Sequence, residues 1–351
     1  QAARQKDAPQ SSSLRSTLRG SGDRPAMDAA AEDSQASRVR PALDPLFAEA
    51  QADLVAQPQQ RPVEQSPSDR DGARLLVHIT AKQQLNLSNH SDKFSALWRV
   101  NLALMPDNVS LQYYNDARMR RTARILSALV WHAGLTKGVL SAYEAYRRLK
   151  PPAFRADLWR YMVLWAKGGV YFDAKVRLLK PLSEIFDLKS ATLQIGRDRP
   201  FGSYWQGAFA AIAPRHEGLA RVIRQVVSDV LAHKMFPEDV LRLTGPAALF
   251  AAAGPSDCKA PRASWGPWKC NEASSVRIIG VMKSLPKTDM MAPGLCKGDT
   301  FQGACDLLLQ VDPEIHRDQH TNYDGMARNK TIYCDDKGPP EQDILCEPAG
   351  D

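Results

Sequence analysis

The chain has 351 residues, 44% of them apolar, with 46 Lys and Arg against 39 Asp and Glu for a formal net charge of +7. That length allows one large domain or two small ones with a sizeable core. The basic residues are dispersed, without zinc-finger spacing or a basic stripe interleaved with aromatics, which disfavours a nucleic-acid partner, and no run of about 18 apolar residues occurs to span a membrane.

Residues 1–70 are rich in Gln, Ser, Ala, Pro, Arg and Asp and poor in aromatics. They bury too little apolar surface to offset their chain entropy and are expected to be disordered. Such a segment suits a stem between a membrane anchor, lying outside these residues, and a folded domain over 71–351. An extension without a role is the alternative.

Leu75 to Ile79 reads as a buried strand, and Asp92 to Leu104 as a helix with Phe94, Leu97 and Trp98 on one side. Pro106 and Asp107 break it, and Ser110 to Tyr114 forms a second strand. Asp116 is placed to cap the next helix, and another runs from Val139 to Leu149. Pro151 and Pro152 open a longer helix over Phe154 to Lys167, which Gly168 and Gly169 stop. Val170 to Asp173 is a short strand, with further strands expected at Ala191 to Ile195, Phe209 to Ala213 and Val276 to Val281. Glu217 to His233 is an amphipathic helix. This alternation implies an α/β protein, a sheet with helices on both faces.

All six cysteines fall late, at Cys258, Cys270, Cys296, Cys305, Cys334 and Cys346. Fifteen pairings are open to them; the simplest joins neighbours, and the stretch from Gly254 to Cys270 reads as a long loop held by a disulfide within a disulfide-bearing portion from about 254 to 351. Zinc would want CxxC-type spacing, which is not present. Together with glycosylation sequons at Asn86, Asn89, Asn108 and Asn329, the even cysteine set favours an oxidising secretory compartment over a cytosolic protein with free thiols.

Asp157 and Arg160 stand three apart on one helix face among Leu158, Trp159, Tyr161, Met162, Leu164 and Trp165. Two readings are open: an ion pair that satisfies itself, or a carboxylate and a guanidinium at the rim of a site, where the planar fork of arginine binds phosphate or sugar oxygens. Asp173 ends its strand, and in open α/β sheets ligands bind at the carboxyl ends of strands.

Phe154 to Asp173, reading FRADLWRYMVLWAKGGVYFD, resembles the signature of the DXD-containing sugar-binding glycosyltransferases, the group of the family 32 enzymes and the yeast initiating α-1,6-mannosyltransferase. Lys180-Pro181, the opening strand VHITAK over 77–82, Trp98, Pro106 and Thr244-Gly245-Pro246 extend the similarity over about residues 74 to 252. The resemblance implies a GT-A-like, Rossmann-type mixed sheet and sugar transfer with retention. It implies that Asp157 and Arg160 hold the donor sugar, that Asp173 faces the diphosphate and metal, and that His78, Ile79 and Thr80 contact the nucleotide base. Tyr161, Gly169, Gln206 and Gly245 complete the implied donor-binding set, and Trp205 either stacks on a sugar or packs.

The second Asp of the motif is replaced, since the chain reads Asp173-Ala174-Lys175. Three readings follow: Mn²⁺ or Mg²⁺ held by Asp173, a late residue such as His320 or His316, and phosphate; Lys175 itself neutralising the diphosphate; or loss of activity. The expectation is a retaining transferase moving a sugar from a UDP- or GDP-sugar to a glycan or glycoprotein acceptor in the secretory pathway, in the Golgi lumen. The alternative is an inactive nucleotide-sugar- or glycan-binding module on the same fold.

Overall fold

The computed structural model describes residues 74–82, 85–199, 203–254, 258–259, 269–270, 276–279, 309–311 and 332–334. The expected stem, His316, His320, Asn329 and three of the cysteines (Cys296, Cys305 and Cys346) lie outside the described residues.

Strand β1 (Leu75–Thr80) leads to helix α1 (Lys93–Ala103), whose N-cap Asp92 accepts from Ser95 N at 2.7 Å. Strand β2 (Val109–Tyr114) is followed by α2 (Asp116–His132). Its cap is Asn115, which accepts from Arg118 N at 2.9 Å; Asp116, expected as the cap, is instead its first helical residue. There an acidic side chain meets the positive end of the helix dipole. Helix α3 (Ser141–Arg148) precedes α4 (Pro152–Lys167), which Pro152 opens without a capping side chain, as suits a residue with no N–H to satisfy.

Gly168, at φ +69°, ends α4, and its N–H bonds to Leu164 O at 2.9 Å. With Gly169 at φ +100° it turns the chain into β3 (Gly169–Asp173). A Cβ on Gly168 would lie 2.4 Å from Ile212 O, and one on Gly169 2.3 Å from Leu76 O. Both glycines are therefore required by backbone approach as well as by φ.

The remaining elements are β4 (Val176–Leu178), a one-turn helix α5 (Leu182–Ile185), β5 (Leu193–Arg199), β6 (Ser203–Ala211), α6 (Glu217–Leu231), a 3₁₀ turn at Val240–Arg242, α7 (Pro246–Ala253), β7 (Cys258–Lys259), β8 (Lys269–Cys270), β9 (Val276–Ile279) and β10 (Leu309–Val311). The main sheet has six strands in the order β2-β1-β3-β6-β5-β9. Only β6 runs against its neighbours, so this is the mixed α/β sheet that the alternation implied. Between β5 and β6 the pairing jumps from Ile195 opposite Phe209 to Gly196 opposite Trp205, so residues 206–208 bulge out of that ladder. Within the stretch expected as one loop, β7 and β8 pair antiparallel with Cys258 opposite Cys270, the register that pairing of these neighbours needs. Ile332 and Tyr333 are buried against the helical side, and Lys150 N bonds to Ile332 O.

Strand alternation divides the core. Val77, Ile79, Val170, Phe172, Ala208 and Ala210 pack with α1 and α5 on one face. Tyr171, Phe209, Ala211 and Ile195 pack with α2, α3, α4, α6 and α7 on the other. Fully buried Leu158, Trp159, Tyr161, Met162 and Leu164 fix α4 to that second face, each such side chain contributing about 1.5–3 kcal/mol by leaving water. His78, Thr80, Tyr171 and Asp173 alternate with the first face and so share the side of the sheet that α4 covers. Among the described residues no helix is long and apolar enough to cross a membrane.

Candidate functional site

The carboxyl ends of the parallel strands β1 and β3 coincide, with Thr80 in register with Asp173. Because β6 is antiparallel with Ala208 opposite Phe172, Gln206 falls at the same end of the sheet. The first turns of α4 and the loop before α7 close over it, and five elements thus converge on one charge cluster.

Arg160 is its hub. Nη2 meets Asp157 Oδ1 at 3.2 Å, and Nη1 meets Asp173 Oδ1 at 3.3 Å and donates to Gln206 O at 2.9 Å. Nε donates to Ala156 O at 3.2 Å, and the guanidinium lies over the Tyr171 ring at 4.6 Å. The carbonyl of Gln206 can accept from Arg160 because the bulge removes it from the ladder with β5. Tyr171 OH donates to Asp173 Oδ1 at 2.9 Å and shares a 2.8 Å hydrogen bond with Thr80 Oγ1.

Asp157 is held from every side. Gln206 Nε2 donates to Oδ1 at 2.6 Å and Thr244 Oγ1 to Oδ2 at 3.0 Å. Tyr161 OH donates to Gln206 Oε1 at 2.5 Å, and lies 2.8 Å from Thr244 O and 3.2 Å from Gly245 O. Burial pushes the Asp157 carboxyl up to about 7, against the pull of Arg160 and of the Thr244 and Gln206 donors. Burial alone would lower Arg160, but Tyr171, Asp173, Asp157 and Tyr161 outweigh it and the net direction is upward.

The geometry revises several expectations. Asp157 and Arg160, at 6% and 5% exposure, are not at a rim but beneath it, and the ion pair satisfies itself within a larger network. Asp173, with 23% of its side chain exposed, is the carboxylate that reaches solvent. Of the first strand only Thr80 joins the cluster. Ile79 is buried on the opposite face with α1. His78 is fully buried, with Nε2 3.0 Å from Gly168 O and burial lowering its pKa to about 3, so it braces the glycine turn as a neutral imidazole. Gly169 pairs with Ala211 at the far end of β3 and is remote from Asp173. Gln206 lies within β6, and Trp205 packs: it is 6% exposed, its indole lying where a Cβ on Gly207 would come within 2.7 Å.

Two members of the cluster had no expected role, Tyr171 and Thr244. Tyr171 stands two residues before Asp173 and must share its face, and Thr244 adjoins Gly245; both signals lie in the sequence.

Lys175 is half-buried in the turn between β3 and β4 and makes no hydrogen bond or ion pair among the described residues. The described residues do not fit a divalent cation. No three of His, Cys, Asp or Glu converge, Asp173 Oδ1 already accepts from Arg160 and Tyr171, and an ammonium replaces the second carboxylate.

Residues 81–192 match a protein family described as "Glycosyltransferase sugar-binding region containing DXD motif", so the chain carries a region similar to that sugar-binding region, in a setting of mixed sheet and flanking helices. Among solved structures, a chain titled "PaToxG Glycosyltransferase" is similar at 14% identity and a TM-score of 0.34, over 51% of this chain and 68% of that one. Among curated proteins, none matches the sequence.

Proposed function

We propose that this chain is a retaining glycosyltransferase, using a UDP- or GDP-sugar as donor and a glycan or glycoprotein as acceptor. The observation that carries the proposal is the partly exposed Asp173 carboxylate, fixed by Arg160 and Tyr171 at the shared carboxyl end of β1 and β3. Ligands of open α/β sheets bind there, and the family match covers both β3 and the helix before it.

In this reading Asp173 and Thr80 meet the donor. Asp157, Arg160, Tyr161, Gln206 and Thr244 are positioning residues that hold Asp173 and the bulged strand in a fixed geometry, which is where catalysis by orientation obtains its advantage. Three exposed sequon asparagines, Asn86, Asn89 and Asn108, support a secretory location, as does Cys334, which is disulfide-bonded.

The test is turnover of UDP-glucose, UDP-galactose, UDP-GlcNAc and GDP-mannose by the full chain. Release of nucleotide from one donor, falling about 10²-fold or more in Asp173→Asn, is expected. No turnover and no binding across the donors would refute the proposal. A second reading, binding without turnover, is favoured by the number of protein groups that already hold Asp157 and Arg160, and tight binding of a donor that is never hydrolysed would establish it instead.

A further inference from the structure

If the donor is a nucleoside diphosphate sugar, something must balance the charge of its diphosphate. Arg160 cannot do so in the bidentate manner that arginine favours. Each of its three nitrogens already has an acceptor in the protein, on Ala156, Gln206, Asp157 and Asp173. The described residues also do not assemble ligands for a divalent cation.

Lys175, two residues beyond Asp173, makes no hydrogen bond or ion pair among the described residues, and its turn is tied to the core. Trp98 Nε1 donates to Ala174 O at 3.0 Å, and Asn101 Nδ2 donates to Val176 O at 2.8 Å. Asn101 Oδ1 in turn accepts from Leu178 N at 2.9 Å, and both α1 side chains are fully buried. The carbonyls on either side of Lys175 are thus tied to the core by side chains reaching across from another element. On its far side β4 is paired with β10, Val176 opposite Val311. Lys175 is thereby carried on backbone fixed before any substrate arrives, which is what stabilisation by a preorganised charge requires.

We propose that the Lys175 ammonium, carried on this clamped turn, neutralises the diphosphate of the donor in place of a protein-bound divalent cation. The inference rests on the donor site proposed above and deepens it. In the transfer the bond from the anomeric carbon to the diphosphate oxygen breaks, and its electron pair stays on that oxygen beside Lys175. The acceptor hydroxyl oxygen bonds to the anomeric carbon, and its proton passes to the departing phosphate. Trp98 and Asn101 are positioning residues for the ammonium.

Calorimetric titration of UDP and GDP into the full chain, in EDTA and then in Mn²⁺, tests this without requiring turnover. The wild type should bind one of the two in EDTA, with Kd changing less than about twofold on adding Mn²⁺. Lys175→Ala should weaken binding by about tenfold or more in EDTA, and Lys175→Arg should restore it to within a few-fold. Unchanged thermal melting of both variants verifies that the turn survives. Wild-type binding that EDTA abolishes, or Lys175→Ala binding as tightly as wild type, overturns the inference while leaving the donor site standing. No binding of either nucleotide with or without Mn²⁺ removes the donor site itself, and the inference with it.

Discussion

The two ends of β3 lie within one sequence signature and are built on opposite principles. At its amino end, Gly168 and Gly169 let backbone approach backbone at distances no side chain tolerates, and a neutral, fully buried His78 donates to the turn. At its carboxyl end nothing is tight in that sense: two carboxylates, a guanidinium, two phenols and three amide or hydroxyl side chains satisfy one another. Glycines so placed serve the fold. A charge network that could be replaced by apolar residues without loss of stability is instead a candidate for chemistry. The signature therefore joins a folding device to a candidate site, and mutations at the two ends should fail in different ways.

The largest expected effect is at the carboxyl end. Arg160→Met leaves Asp157 buried without its cation and the Gln206 carbonyl without a donor. Removing one partner of a buried pair costs about 3–5 kcal/mol, a loss readable by urea denaturation. Arg160→Met paired with Asp157→Leu should recover a large part of that loss while leaving donor binding impaired. A double variant no more stable than the single one would mean that the network is structural in its own right.

At the amino end, Gly169→Ala should cost about 3 kcal/mol, because the strand must move away from Leu76 O. The variant should be unstable yet, at low temperature, retain its affinity for nucleotide, since Gly169 is remote from Asp173. Weakened nucleotide binding in the folded fraction would erase the distinction between the ends.

Much of this was legible in the sequence. The order of helices and strands, the Gly168–Gly169 stop and the proximity of Asp157, Arg160 and Asp173 follow from periodicity, breakers and the motif. What was not legible has physical causes. Strand β6 begins at Ser203 rather than near Phe209 because the bulge at 206–208 interrupts the alternation that marks a strand. Helix α7, PAALFAAA, carries no polar face to betray its period. The depth of Asp157 and Arg160 could not be read from spacing, since a rim pair and a buried pair share the same i,i+3 interval. His78 and Gly169 show the converse hazard: both are expected among the donor-binding residues, yet His78 is fully buried against the Gly168 carbonyl and Gly169 lies at the end of β3 away from Asp173.

The smallest effect concerns the amino end alone. His78 has its pKa lowered from 6.5 to about 3 by burial, so its contribution to stability is complete above pH 6.5 and is lost as pH falls toward 3. Between those values the unfolded chain holds a proton on His78 that the folded chain does not, so this group makes stability rise with pH by about 1.4 kcal/mol per unit. Relative to wild type, His78→Gln should lack that rise. Urea unfolding at pH 4.5, 5.5 and 6.5 reads the difference in slope. A variant that tracks the wild type in parallel would mean that His78 is not held in its neutral form, and the contrast between a braced turn and a charge network would lose its electrostatic basis.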